Sequence, residues 1–251
     1  KNIFLPISSK ELPLVYDILE YYNPLENYNE GEEFSRFNPY INHFFLNPLL
    51  KKEERTEDGV YIFSELMRAV VKYYPNGTFE YSNIGVSPAR RSVSRLSSYN
   101  IAKNFLNKSE SIPKEARKRL FLSDVIVTET GYIFCFDMRV NGIPLYFSQR
   151  TREKLNMDHM VEVRVQGAQV ANFKWNAYAL RTKTYAGKSV TDNFTTKYTE
   201  GLNQVLEYIA QQKETNTLAI DDMRWVYMVN PDKNDIHVRW IVLHENRWYA
   251  P

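Results

Sequence analysis

Cysteine is nearly missing from these 251 residues, and Cys135 stands alone. A disulfide framework within the chain is therefore impossible, and so is a zinc site built from several thiolates. Glycine is scarce, at nine residues, and none falls in Gly-x-Gly-x-x-Gly or P-loop spacing. His-Glu-x-x-His and Gly-x-Ser-x-Gly are absent as well. No apolar run approaches the ~20 residues that span a bilayer. Neither sign of charge dominates, with 32 basic and 30 acidic side chains and a net charge of +2. A general nucleic-acid binder would carry a clear basic excess, so no nucleic-acid partner is expected. The chain opens at Lys1 and not at Met, which fits a leader or anchor having been removed.

What the chain does have is aromatic: 18 Tyr, 14 Phe and 4 Trp. That mixture suits strands and packed sheets. Residues 3–22 hold short apolar runs broken by Pro6 and Pro13 and read as extended segments. Asn38-Pro39 starts a helix, with Phe37, Tyr40, Ile41, Phe44 and Phe45 as its stripe and Asn47-Pro48 as its stop. Strands follow at 60–66 and 68–74, then a hairpin turning at Asn76-Gly77, where a type I′ turn is expected. Helices fit 92–107, with Leu96, Tyr99, Ala102, Phe105 and Leu106 on one face, and 113–121. "GYIFCFDMR" alternates as a strand, and Asn141-Gly142 turns it into "IPLYFS". "MVEVRVQG" alternates too, with "VANFKWNAYALR" as its antiparallel partner. The polar, Thr-rich residues 182–198 read as a linker. A helix over 199–212 with Leu202, Val205, Leu206 and Ile209 on one face precedes a meander at 223–230, 236–243 and 247–250.

A helix laid on an antiparallel meander buries one face of each. The expected fold is α+β in two such domains, 1–87 and 88–251, with PepSY-like helix-on-sheet units and a boundary near 84–92.

The catalytic inventory is thin. Cys135 sits in an alternating aromatic strand and reads as a small buried hydrophobe. His43, His159, His237 and His244 show no metal-ligand spacing, although His237 and His244 could meet across adjacent strands. The acid pairs Glu32-Glu33, Glu53-Glu54 and Asp221-Asp222 suit solvated loops, because neighbours on a strand point apart. No enzyme activity, cofactor or metal is expected. Asn76, Asn107 and Asn193 each head a glycosylation sequon, which for Asn76 is already explained by turn chemistry.

Charge is uneven along the chain. Residues 87–119 hold nine Lys/Arg against Glu110 and Glu115, while 20–58 hold nine acids against four Lys/Arg. The two segments could pair with each other, or the basic one could dock on an anionic membrane or an acidic partner. The candidate contact residues are Arg90, Arg91, Arg95, Arg117, Lys118 and Arg119.

Three stretches carry a resemblance: "YINHFFLNPLLKKEERTEDGVYIFSELMRAVVKYYPNGTFEYSN", "GYIFCFDMRVNGIPLYFS" and "IDDMRWVYMVNPDKNDIHVRWIVLHENRWYAP". From Tyr40 onward the chain resembles the YycH/YycI family of bacterial regulators, most nearly the later two domains of YycH. The resemblance implies a non-enzymatic, extracytoplasmic part of a single-pass membrane protein. It implies modulation of the sensor histidine kinase WalK (YycG), which controls cell-wall homeostasis, with the paired regulator YycI or YycH as second partner. The alternatives are a cell-wall glycan-binding or wall-modifying ectodomain using Trp175, Trp225, Trp240 and Trp248, and a PepSY-type protease inhibitor.

Overall fold

The computed structural model describes residues 14–29, 31–66, 68–86, 93–194, 198–212, 220–230, 235–244 and 247–249. Contacts divide the chain into two compact units, Tyr21–Ala179 and the pair of segments Lys1–Glu20 and Leu180–Pro251. The division therefore does not follow 1–87 and 88–251. Tyr81 and Phe173, from opposite sides of the expected boundary, are partners in adjacent strands of one sheet.

The chain enters through β1 (Leu14–Asp17) and β2 (Leu19–Tyr22). The larger unit then builds a meander of β3 (Lys52–Arg55), β4 (Tyr61–Glu65), β5 (Ala69–Tyr73) and β6 (Thr78–Asn83). Next come α1 (Asn38–Ile41), which lies before that meander in sequence, and α2 (Arg95–Lys108) and α3 (Lys114–Arg117) after it. The remaining strands of the unit are β7 (Leu120–Thr128), β8 (Gly131–Val140), β9 (Ile143–Phe147), β10 (Val161–Gln166) and β11 (Gln169–Asn176). A helix, α4 (Gln149–Leu155), joins β9 to β10. All pairings are antiparallel, in the order β3-β4-β5-β6-β11-β10-β8-β7, with β9 returning along the far end of β8.

Alternation explains the core. β4, β5 and β10 bury every second residue, giving Tyr61, Phe63, Val71, Tyr73, Val161, Val163 and Val165 on one face. Trp175 stacks between Phe79 at 4.7 Å and Phe173 at 4.5 Å. Phe37, fully buried, meets Tyr61, Phe63 and Tyr73 at 4.8–5.3 Å. α2 lies on the same face, its Phe105 against Phe173 and its Tyr99 against Phe134. Ser94 caps it by accepting from Ser97 N at 3.1 Å. The opposite face stays polar: Lys72, Glu80, Lys174 and Glu162 stand directly opposite one another across β5, β6, β11 and β10.

Several expectations are corrected here. The helix expected to run from Asn38 is one α-turn flanked by 3-10 turns at Ser35–Phe37 and Asn42–Phe44. The helix at 113–121 stops at Arg117 because Leu120 already belongs to β7. Leu96 is 69% exposed and lies outside the α2 core face. The Asn76-Gly77 hairpin is not type I′. Pro75 holds φ negative at the first central position, the turn closes by Gly77 N donating to Tyr74 O at 2.9 Å, and Gly77 follows at φ +86°. Asn141-Gly142 does take the type I′ geometry, with φ of +51° and +83°.

The smaller unit is also helix on meander. α5 (Tyr198–Gln212) packs on a sheet of β16 (Asp222–Val229), β17 (Asp235–His244) and β18 (Arg247–Tyr249). Ile209 and Val242 are fully buried between them, flanked by Leu202, Ile220, Met223 and Tyr249. Of residues 182–198, expected as a linker, those up to 194 carry structure: β12 (Ala179–Thr182), a hairpin of β13 (Thr184–Tyr185) and β14 (Lys188–Ser189), and β15 (Thr191–Phe194), which pairs with β1. His237 and His244 lie on the one strand β17, so they do not meet across strands.

Candidate functional site

Of the basic residues singled out from sequence, four fall among the described residues. Arg90 and Arg91 lie outside the described residues. Arg95 opens α2 and is exposed, whereas Arg117 lies beyond its far end. Fourteen helical residues separate those ends by roughly 20 Å. Arg117 is occupied by α2 itself, donating from Nη1 to Leu106 O at 3.3 Å and to Asn107 O. It thereby satisfies carbonyls left open at a helix C-terminus. Lys118 pairs with Glu115 at 2.7 Å, in the open. Arg119 is exposed at the start of β7.

One constellation resembles catalytic machinery. Cys135 and Asp137 lie on the polar face of β8, and His159 reaches them from the loop before β10. His159 Nδ1 is 2.9 Å from Asp137 Oδ2 and 3.2 Å from Ser123 Oγ. Burial works against the charged imidazole, but hydrogen bonds to Asp137 and Cys135 and the Asp137 charge outweigh it, raising its pKa to about 10. The Cys135 thiol is fully buried, and burial pushes its pKa up. A nucleophilic cysteine needs the opposite: access and a depressed pKa. Asp137 also accepts from Met160 N at 3.1 Å. The cluster therefore works as a clasp that ties the loop between α4 and β10 to β8. Beside it, Gln149, Arg152, Asn156, Asp158 and Glu162 line an open cleft of about 360 Å³. Among the described residues no group of three or more His, Cys, Asp and Glu could hold a metal.

The surface that sequence reading missed is apolar. Leu46, Leu49, Leu50 and Leu66 are 76%, 93%, 72% and 85% exposed, and Ile84 is 56% exposed. Backbone bonds gather them at one end of the larger unit's sheet. Glu65, itself only 4% exposed, accepts from Leu46 N at 2.7 Å and from Asn47 N at 2.6 Å. Asn47 Oδ1 accepts from Leu49 N at 3.3 Å and caps the 3-10 turn Pro48–Leu50. Leu66 follows Glu65 in the left-handed region at φ +43°, where an L side chain is strained. Ile84 N donates to Arg68 O at 2.9 Å in the same corner. Five apolar side chains are thus exposed around a corner in which a buried carboxylate fixes the backbone at Leu46 and Asn47. Scattered exposed leucines need no explanation, but a gathered set marks an interaction surface.

Of the four tryptophans, Trp175 is core and cannot line a sugar groove. Trp225 faces Trp240 across β16 and β17 at 5.2 Å, and Arg224 lies 4.0 Å over Trp248. The Asn76 side chain donates from Nδ2 to Lys154 O at 2.9 Å, a structural use of that sequon.

The fold and this surface define an α+β protein of helix-on-sheet units with an exposed apolar corner. No family model matches the chain, and no curated protein matches it. Among solved structures it is similar to an uncharacterised protein from Eubacterium rectale ATCC 33656, with a TM-score of 0.57 and 12% identity over 94% of this chain and 82% of that one. The Bacillus megaterium YpeB C-terminal domain aligns at a TM-score of 0.37 and 12% identity, over 78% of this chain and 79% of that one. The first likeness is one of fold. None of these findings links the chain to a YycH or YycI regulator. The expected role as a WalK regulator, with WalK/YycG and YycI or YycH as partners, is accordingly withdrawn.

Proposed function

We propose that this chain is a non-enzymatic interaction domain that binds another protein through the corner formed by Leu46, Leu49, Leu50, Leu66 and Ile84. The observation that carries the reading is the buried Glu65 carboxylate, which spends both oxygens on Leu46 N and Asn47 N and so holds leucines in water. Folding alone gains nothing from that exposure, whereas a partner would gain roughly 25 cal/mol for each Å² it covered. The locked Cys135–His159–Asp137 clasp supports the non-enzymatic part. A photo-crosslinking residue at position 49 or 66, in cells that make the protein, should give adducts with one and the same protein. Lys188, on an exposed hairpin of the smaller unit, is the control position. Equal labelling at all three positions, or none, would sink the reading.

A second reading concerns the class of partner. α5 followed by β16, β17 and β18 has the helix-then-meander order of PepSY-type units, which points to a protease as the bound protein. Hydrolysis by a panel of extracellular proteases, measured with a molar excess of this chain, tests it. Unchanged rates throughout would remove that class.

A further inference from the structure

The sheet of the larger unit ends in two different ways. At one edge β3 reads Lys-Glu-Glu-Arg, fully exposed and charged, a sequence that discourages pairing. At the other, β7 reads Leu-Phe-Leu-Ser-Asp-Val-Ile-Val-Thr, pairs among the described residues only with β8, and exposes Leu122 at 40%, Ile126 at 45% and Val127 at 71%. An uncovered apolar edge of nine residues is a template for another strand.

We propose that the strand it takes is β7 of a second copy of this chain, antiparallel, about a two-fold axis between Ser123 and Asp124. Three features of β7 are symmetric about that point. The first is the side-chain faces. The register with β8 shifts between Leu122 and Asp124, so Ser123 is the extra residue of a bulge. Leu120 and Leu122 stand opposite Met138 and Phe136, and Val125 and Val127 stand opposite Phe134 and Tyr132. All four therefore share the helix-bearing face, while Phe121 and Ile126 share the other. Were Ser123 paired regularly and not bulged out, the two halves would point to opposite faces.

The second is the backbone. Arg139 N donates to Arg119 O at 3.0 Å, which fixes the alternation along the ladder. Peptide groups of Phe121, Asp124, Ile126 and Thr128 turn toward β8, and those of Leu120, Leu122, Val125 and Val127 turn outward. Antiparallel pairing about the axis sets Leu122 against Val125 and Leu120 against Val127, so outward groups meet outward groups. In the single chain Asp124 Oδ1 holds Val125 N at 2.7 Å. In the pair that amide turns to Leu122 O of the second copy.

The third is charge. Lys118 and Arg119 precede β7 and Glu129 follows it, all three exposed. The same register sets Lys118, which in the single chain pairs with Glu115, against Glu129 of the second copy. The two Asp124 carboxylates lie diagonally across the axis, the one like-charge contact in the arrangement.

Sedimentation velocity over a concentration series tests this. The unaltered chain should show a monomer–dimer equilibrium. Val127→Lys and Ile126→Lys should each weaken it about tenfold or more, near 1.4 kcal/mol, and Asp124→Asn should strengthen it. Because these side chains are exposed, circular dichroism and the urea midpoint of the two Lys variants should stay near wild type. A chain that is monomeric throughout would overturn the proposal. So would a dimer that survives Val127→Lys and Ile126→Lys but is lost on Leu49→Ser. That last result would assign self-association to the leucine corner and leave β7 without a role.

Discussion

Glu65→Ala tests how the leucine corner is built. The side chain is 4% exposed and accepts two backbone hydrogen bonds at 2.7 and 2.6 Å. Bonds to a charged acceptor are worth about 1.5–3 kcal/mol each. Leu46 and Asn47 are exposed, so water replaces part of what is lost. The net expectation is a loss of about 3 kcal/mol, or about 10 °C in melting temperature for a unit of this size. Glu65→Gln should recover about half, because its single carbonyl can serve one amide while its NH₂ group faces the other. Urea unfolding gives the energy. Hydrogen exchange supplies the local readout, since the Leu46 and Asn47 amides should exchange faster in Glu65→Ala while those of β10 do not. A midpoint within about 0.5 kcal/mol of wild type, with both amides still protected, would refute the account of Glu65 as the anchor of this corner.

Other consequences follow from the same structure. The His159 pKa is raised to about 10 in the fold, against 6.5 when unfolded. The stability it adds is complete below pH 6.5 and fades as pH rises through 10, by about 3 kcal/mol between pH 6 and pH 9. Urea titrations of wild type and Asp137→Asn should therefore converge at alkaline pH, and parallel curves would count against the clasp. His43 runs the other way. Burial lowers its pKa to about 4, beside Ser109 and Ser111, so the stability tied to its neutral form is lost as pH falls from 6.5 through 4. His43→Gln should flatten that acid limb in a stability–pH profile. A methyl group at Gly131 would sit 2.0 Å from Val165 O, against backbone that cannot yield. Gly131→Ala should cost several kcal/mol or prevent folding, as expression and thermal melts will show.

Much of the fold is legible in the residues because alternation is a local property. "VEVRVQ" must bury Val161, Val163 and Val165 if one sheet face is covered, and it does. Asn141-Gly142 announces a type I′ turn because both residues accept positive φ. The 15-residue α5 is legible from its apolar spacing. α4 is short and almost wholly polar, so periodicity does not reveal it. Its only signals are Ser148, which accepts from Thr151 N, and Asn156 in the left-handed region at its end.

The surfaces proposed for contact were illegible for a different reason. Leu46, Leu49 and Leu50 read as ordinary apolar residues, and nothing local says they face water. The exposure follows from Glu65, 15 to 19 residues later. The basic residues were legible as a charge run, but the run did not say where the described Arg95 and Arg117 would lie. Arg117 bends back onto α2, and Arg95 lies at the other end of that helix. The sequence by itself determined an α+β chain with one cysteine and balanced charge, because composition and short-range period set those. Tertiary structure alone decided which strands share a sheet across 84–92, which edge of it stays open and which leucines are left in water. Those depend on pairings between residues far apart in the chain, and no local pattern encodes them.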